Sequence, residues 1–318
     1  MNRRRFSGAA IALGVSAVSG IRPLKAQAPR RQAGWNAPPQ PHAPRNIKIG
    51  HTGITWADPN GPDQAIKDIG ALGFYGFETF GDVLDKFEAQ PGGIAKVLDA
   101  ANLSLISAYC TFDMVDPAKR NDSIEKMTNW GKLIKKNGGR VAVLGPNPVH
   151  REQTGYNFAD HKNDIVTTLN EVGKRLQDFG ITGVLHPHTG MCIETLDEAY
   201  SVMQSVDTRY VKFGPDIGQL VKGGADPNAV TKLVKDFLPV VHHMHFKDFS
   251  GGQYYLGYCP LGFGRVQLNA ALDLMDGREI AGMVMVELDG TRNPPLPPYQ
   301  AAEIAKNFLR LEGVGFRS

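Results

Sequence analysis

The 318 residues suffice for one large core or two modest ones, and 42% hydrophobic with 21% charged residues is the make-up of an ordinary globular protein. The formal charge of +3 hides an asymmetry: every basic residue before Ile47 is without an acidic counterpart, and from Ile47 onward 27 basic residues face 32 acidic ones. A mildly acidic body argues against nucleic-acid binding, and three cysteines without CxxC spacing (Cys110, Cys192, Cys259) exclude a disulfide framework and a thiolate zinc site.

The chain opens with a targeting pattern. Arg3-Arg4-Arg5-Phe6 supplies a twin-arginine start, Ala9 to Ile21 is weakly apolar, and small residues stand at Ala26-Gln27-Ala28. The apolar stretch is too short and too rich in Gly and Ser to span a bilayer. Residues 1–28 are therefore predicted to be a twin-arginine signal peptide, and the mature protein to be periplasmic, with no membrane span. Residues 29–46 are Pro-rich and aperiodic, an extended linker.

From Ile47 to the end, residues 47–318, short apolar β-rich runs alternate with amphipathic stretches. The predicted strands are Ile47–Gly50, Gly76–Phe80, Ser104–Ala108, Arg140–Leu144, Gly183–Pro187, Tyr210–Gly214, Val240–Phe246 and Met283–Leu288. The clearest predicted helices are Asp63–Leu72, Ile94–Ala101, Ser123–Lys136 and Asp164–Phe179. Eight strands each followed by a helix fit a single (β/α)₈ TIM barrel, for which about 250 residues is typical. A doubly wound sheet would show a Gly-rich phosphate turn after its first strand; Gly50-His51-Thr52-Gly53-Ile54-Thr55-Trp56 lacks the GxGxxG spacing.

Barrel chemistry sits at the C-terminal ends of the strands. The last four ends read Leu185-His186-Pro187-His188-Thr189-Gly190, Phe213-Gly214-Pro215-Asp216, His243-Met244-His245-Phe246-Lys247-Asp248 and Val286-Glu287-Leu288-Asp289. Strand alternation puts His243 and His245 on one face, and His186 and His188 likewise. Taken alone, each histidine reads as a hydrogen-bonded core or rim residue. Imidazoles and carboxylates on successive strand ends read as a three- or four-donor site for a divalent ion.

On these stretches, together with Gly73-Phe74-Tyr75-Gly76-Phe77-Glu78, Asp216-Ile217-Gly218-Gln219 and Leu261-Gly262-Phe263-Gly264, the chain resembles the xylose-isomerase-like barrel superfamily of sugar isomerases, epimerases and dehydratases. The likeness is greatest to inosose (2-keto-myo-inositol) dehydratase-like members. The resemblance implies metal ligands at His186, Asp216, His245 and Glu287, holding one ion of Mn, Co or Zn. Two departures matter. The epimerase branch carries a Glu where this chain has His186, and Gln219 stands where the family usually has a His that shuttles protons.

Such an ion stabilises the enediolate formed when the carbon beside a ketone loses its proton, and a base must stand within reach. The candidates are Glu287, Lys247 and His188, with Lys247 alternatively a salt-bridge partner of Asp248. Glu78, His243 and the aromatic loop at Tyr255 are the candidate substrate contacts. The missing second Glu favours β-elimination over epimerisation, and export favours unphosphorylated substrates. The expected activity is that of a metal-dependent lyase of dehydratase type, or an isomerase, on a keto-sugar, keto-glycoside or keto-cyclitol. The alternatives are a sugar 3-epimerase and a non-catalytic carbohydrate-binding barrel. A small carbohydrate or cyclitol is the expected partner, and the oligomeric state, a homo-oligomer included, is left open.

Overall fold

A computed structural model describes residues 42–57, 61–291 and 293–318. The predicted signal peptide and residues 29–41 of the predicted linker lie outside the described residues.

Eight parallel strands form the barrel: β1 (Ile49–Thr52), β2 (Gly76–Phe80), β3 (Ser104–Phe112), β4 (Val141–Pro146), β5 (Thr182–Leu185), β6 (Val211–Phe213), β7 (Met244–Phe246) and β8 (Val284–Val286). Their hydrogen-bonded order is β6-β5-β4-β3-β2-β1-β8-β7. Parallel bridges from Phe213 to Val241 and from Asp216 to His245 bring β6 beside β7, so the ring closes. β1 and β4 are buried along their whole length, as strands covered on both faces must be. Helices wrap the outside and pack their apolar stripes on the strands; Ile165, Leu169, Val172 and Leu176 of the helix Phe158–Gln177 show the 3.6-residue period. Ile106, Met283 and Met285 make one packed cluster inside the ring. Val141, Val143 and Val184 make another.

The predicted strands and helices recur with shifted ends. β3 runs on to Phe112, and the segment before β7 is a 3-10 turn, Leu238–Val240, where Pro239 cannot donate to a ladder. The helix Gly81–Glu88 was not among those read from the sequence. It starts directly at the end of β2, with no capping side chain and no turn residues to announce it.

The last residues of the predicted linker are laid against the barrel base. His42 N–H donates to Leu311 O and Arg45 N–H to Gly313 O, both at 2.9 Å, and Arg317 N–H donates to Gly73 O at 2.9 Å. Among the described residues no helix is long and apolar enough to cross a membrane. The three cysteines are free and buried.

Candidate active site

Alternation along the strands delivers the site. Val184, His186 and His188 succeed one another on the inner side of the fifth strand and its extension, His243, His245 and Lys247 on the seventh, and Met285, Glu287 and Asp289 on the eighth. Each series runs from the packed interior towards the mouth. Gly218 lets the helix Ile217–Lys222 lie directly on β7, because a Cβ there would meet Lys247 Cβ at 2.8 Å.

The lowest polar layer is fully hydrogen-bonded. Ser107 Oγ donates to Glu78 Oε2 at 2.6 Å and His243 Nε2 donates to the same oxygen at 2.9 Å. Met283 N–H donates to His243 Nδ1 at 3.3 Å, which fixes the proton of that ring on Nε2. Glu78 Oε1 faces His245 Nε2 at 2.7 Å. Burial disfavours the Glu78 charge, but His245 and His243 outweigh it and hold the carboxyl well below the usual range. This corrects the expectation that His243 meets substrate: it is completely buried and both ring nitrogens are committed. Glu78 does border the cavity, yet its oxygens are engaged by protein groups, so it supports His245 from below.

Above this layer donor atoms crowd together without well-aligned hydrogen bonds. Asp216 Oδ1 caps the helix Ile217–Lys222 through Gln219 N–H at 2.8 Å, which turns Oδ2 inward. Oδ2 lies 4.0 Å from His186 Nε2 and 4.0 Å from His245 Nδ1. Ligand atoms of His186, Asp216 and His245 fall within 4.8 Å of one another. Glu287 Oε2 is in close contact with His245 Nδ1. His186 Nδ1 is buried without a hydrogen-bond partner. Asp216 Oδ2, both nitrogens of His245 and Glu287 Oε2 are buried in ion-pair contact with one another or with Glu78 and Lys247, but make no well-aligned hydrogen bond. Buried polar atoms held in this way cost free energy unless something fills the gap. Asp216, Glu287 and Asp289 are buried and share the ammonium of Lys247, while the buried Glu78 is paired with His243 and His245 instead. Imidazole nitrogen and carboxylate oxygen in a net-negative pocket form a donor set that fits a divalent ion of the Mn, Co or Zn kind.

The three base candidates differ in character. Lys247 is buried, 2.8 Å from Asp289 Oδ1, 3.2 Å from Asp216 Oδ2 and 3.4 Å from Glu287 Oε2. Burial alone would lower its pKa, but these carboxylates hold it well above the usual lysine range. It is a charged counter-ion rather than a free base. Its partner is not Asp248, which instead accepts the backbone N–H groups of Phe249, Gly262, Gly264 and Val266 and pins the loop 260–266. That corrects the alternative reading of Lys247: a backbone-liganded carboxylate has no lone pair left to spend on it. His188 Nδ1 donates to Thr189 O at 2.8 Å, while its Nε2 accepts from the Gln219 amide at 2.7 Å. The orientation of Gln219 is set in turn by Thr189, whose hydroxyl donates to Gln219 Oε1 at 2.5 Å. Burial, with help from Lys247, lowers the His188 pKa and keeps the ring neutral. Burial would raise Glu287, but His245 and Lys247 outweigh it and keep it ionised.

Two connected chambers lie over these groups. The inner, of about 100 Å³, is bordered by Thr52, Glu78, Tyr109, His186, His188 and Glu287. The outer, of about 510 Å³, spreads over β1 and β2, and shares Ile54, Glu78, Thr79, Phe80 and His188 with the inner one. Tyr255 does not reach either. It is buried against Tyr258, Leu288 and Ala301, and the residue presented to the outer chamber is Leu256. The reason is local backbone: Tyr255, Leu256 and Gly257 all have positive φ (52°, 58° and 95°), which turns the aromatic ring under the loop.

Sequence reading passed over Tyr109. Its ring stands edge-on to His186 at 5.2 Å and its hydroxyl is buried with no partner. Burial pushes the phenol up, so it remains a neutral donor. The signal was alternation, since Tyr109 follows Ser107 by two positions; ending the strand at Ala108 concealed it.

The family model for xylose isomerase-like TIM barrels matches residues 66–311. An inosose dehydratase from Bacillus thuringiensis is 24% identical over 297 residues, covering 83% of this chain and 96% of that protein. Among solved structures, the IOLI protein with a bound zinc atom superposes with a TM-score of 0.68 at 16% identity, covering 84% of this chain and 98% of that one. The 3-keto-D-glucoside 4-epimerase of E. coli does so with a TM-score of 0.63 at 17% identity, covering 83% and 97%.

Proposed function

The chain belongs to the xylose isomerase-like TIM barrel family, and on that premise we propose that it is a divalent-metal-dependent carbohydrate lyase of dehydratase type, removing a substituent β to a ketone of a keto-sugar, keto-glycoside or keto-cyclitol. The observation that carries this reading is the convergence of buried donor atoms on His186, Asp216, His245 and Glu287, none of them in a well-aligned hydrogen bond, from the ends of the last four strands. These four residues would hold the ion. When bound, a divalent ion supplies Lewis-acid stabilisation of the negative charge that develops on a ketone oxygen as the neighbouring carbon loses its proton.

The remaining work falls to side chains. Glu287 borders the inner chamber as an ionised carboxylate and is the base for that proton. Lys247 neutralises the carboxylate cluster from behind, since it borders neither chamber. Tyr109 offers a neutral hydroxyl to the inner chamber. His188 stands at the neck shared by both chambers, where a substituent leaving outward would pass. The inosose dehydratase likeness over most of both chains supports elimination, and so does His186 at the position where epimerases of this family carry a second acid/base Glu.

The test is to reconstitute purified protein with Mn, Co or Zn and offer it keto-inositols, keto-glycosides and free ketoses in deuterated water. Metal-dependent uptake of deuterium beside the ketone, followed by loss of the β-substituent and abolished by chelation, is the expected result. Turnover confined to unoxidised substrates, or conversion without exchange at that carbon, overturns the proposal. Return of the proton to the opposite face, with no loss of substituent, would replace the lyase by an epimerase.

We also assign the chain to twin-arginine export on the strength of Arg3-Arg4-Arg5-Phe6. Replacing Arg3 and Arg4 by Lys should retain the protein in the cytoplasm, and unchanged export of that variant would remove the assignment.

A further inference from the structure

The chambers are unequal in size and in the residues that line them. The inner one, of about 100 Å³, is bordered by the ionisable groups of Glu78, His186, His188 and Glu287 together with Ile54, Phe80 and Met191. The outer one, of about 510 Å³, is in the range that holds a drug-sized ligand. Its body is formed by Ile54, Trp56, Phe80, Val83, Phe87 and Leu256. Glu78, His188 and Asp289 border it where it meets the metal-side residues, Asp63 stands at its rim at the start of the helix Asp63–Ala71, and Lys86 and Gln90 come from the solvent-facing end of the helix Gly81–Glu88 and the turn after it. Even the polar edge of Trp56 is turned away, its Nε1 donating to Asp68 Oδ2 at 2.7 Å. A polyhydroxylated ring lying against the apolar wall would lose water from its hydroxyls and reach polar partners only at the chamber's edges, which costs free energy. An aromatic group would gain apolar burial and edge-to-face contacts.

The loop facing this chamber adds an independent observation. Leu256 is 64% exposed and has φ 58°, and Tyr255 beside it has φ 52°. Consecutive left-handed conformations at residues with branched or bulky side chains are unfavourable and collect at functional sites. Here the strained turn holds an apolar side chain over the cavity.

We propose that the outer chamber is an aglycone subsite, so that the substrate is a keto-glycoside whose departing substituent carries an aromatic or comparably apolar group. The assignment rests on the lyase reading above and narrows its substrate class. The sugar end would occupy the inner chamber, and the bond to the aglycone would lie at the neck beside His188.

The experiment compares keto-glucosides that differ only in aglycone: methyl, 2-naphthyl and a second glucosyl unit. The 2-naphthyl compound should exceed the methyl compound in kcat/KM by at least about tenfold. Leu256→Gln, on an exposed side chain, and Val83→Thr, close to isosteric, should each shrink that ratio. Equal kcat/KM for methyl and naphthyl, or a preference for the disaccharide, overturns the subsite. If no keto-glycoside is turned over with any metal, the lyase reading fails, and calorimetry with 2-naphthyl β-glucoside and 2-naphthol then decides the subsite alone. Binding weakened by Leu256→Gln and Val83→Thr supports it; absence of binding to the unmodified protein overturns it.

Discussion

The two halves of the barrel mouth carry different kinds of residue. The ends of β5 to β8 supply His186, Asp216, His245, Lys247, Glu287 and Asp289, all buried and within reach of one another's charge. The ends of β1 to β4 and the helix after β2 supply Ile54, Phe80, Val83, Phe87 and Tyr109. Charge is thereby gathered where the side chains are buried, which strengthens each electrostatic contact, while the other half presents mostly apolar side chains to the outer chamber. Glu78 is the one carboxylate that crosses from the second half to the first, and it does so to touch His245. The contrast teaches that the half that would bind an ion and the half that would select a substrate are separable by mutation.

The largest effect should come from the charged half. Glu287→Gln is expected to lower turnover by about 10³-fold, in the range for loss of a positioned acid–base group, and His245→Ala to lose both bound metal and turnover. Metal content must be measured beside rate, because Glu287 is proposed for both roles. Full metal occupancy and full rate in either variant would dissolve the comparison.

Lys247→Met removes the ammonium that Asp216, Glu287 and Asp289 share. Leaving buried carboxylates uncompensated costs about 3–5 kcal/mol. Denaturant unfolding of the metal-free variant should show that loss, and the loss should shrink when metal is added. An unchanged midpoint would mean that the carboxylates share protons among themselves instead.

Smaller still is the reach of Glu78 across the divide. Glu78→Gln keeps the shape but no longer presents a carboxylate to His245 and His243. Metal affinity should fall by about 10- to 100-fold, as for other groups that orient a ligating imidazole. Affinity within twofold of the parent protein would make Glu78 a packing residue.

The last prediction belongs to the apolar half and concerns pH. His51, packed edge-on to Trp56 and Phe74, has its pKa pushed down to about 4 by burial. The unfolded chain takes up a proton near the ordinary value of 6.5, while the folded one does so only near 4. Stability from this group is therefore complete above 6.5 and drains as pH falls towards 4, by about 1.4 kcal/mol per pH unit. His51→Asn should flatten that part of the stability–pH curve; an unaltered slope would assign it to the histidines of the charged half.

Much of the charged half was legible in the sequence, because strand alternation is a rigid rule: once β5, β7 and β8 are placed, the inward positions of His186, His245 and Glu287 follow. The lock on His188 was not legible, since it depends on Gln219 and Thr189 meeting across separate strand ends. Nor was the apolar half. Its helix Gly81–Glu88 begins without a signal, and the choice of Leu256 over Tyr255 depends on backbone angles that propensity disfavours. Periodicity predicts which face a residue takes on a regular element, and fails where the chain turns.

The hydrogen bonds that tie His42 and Arg45 to the end of the last helix, and Arg317 to Gly73, bring the two ends of the barrel together at its base, away from the mouth. In wiring terms the barrel is close to an endless loop. A short linker between Ser318 and His42, with new ends cut in the turn at Gly138 and Gly139, would reorder the gene without disturbing a single donor at the mouth. The order in which strands leave the ribosome could then be changed independently of the chemistry they serve.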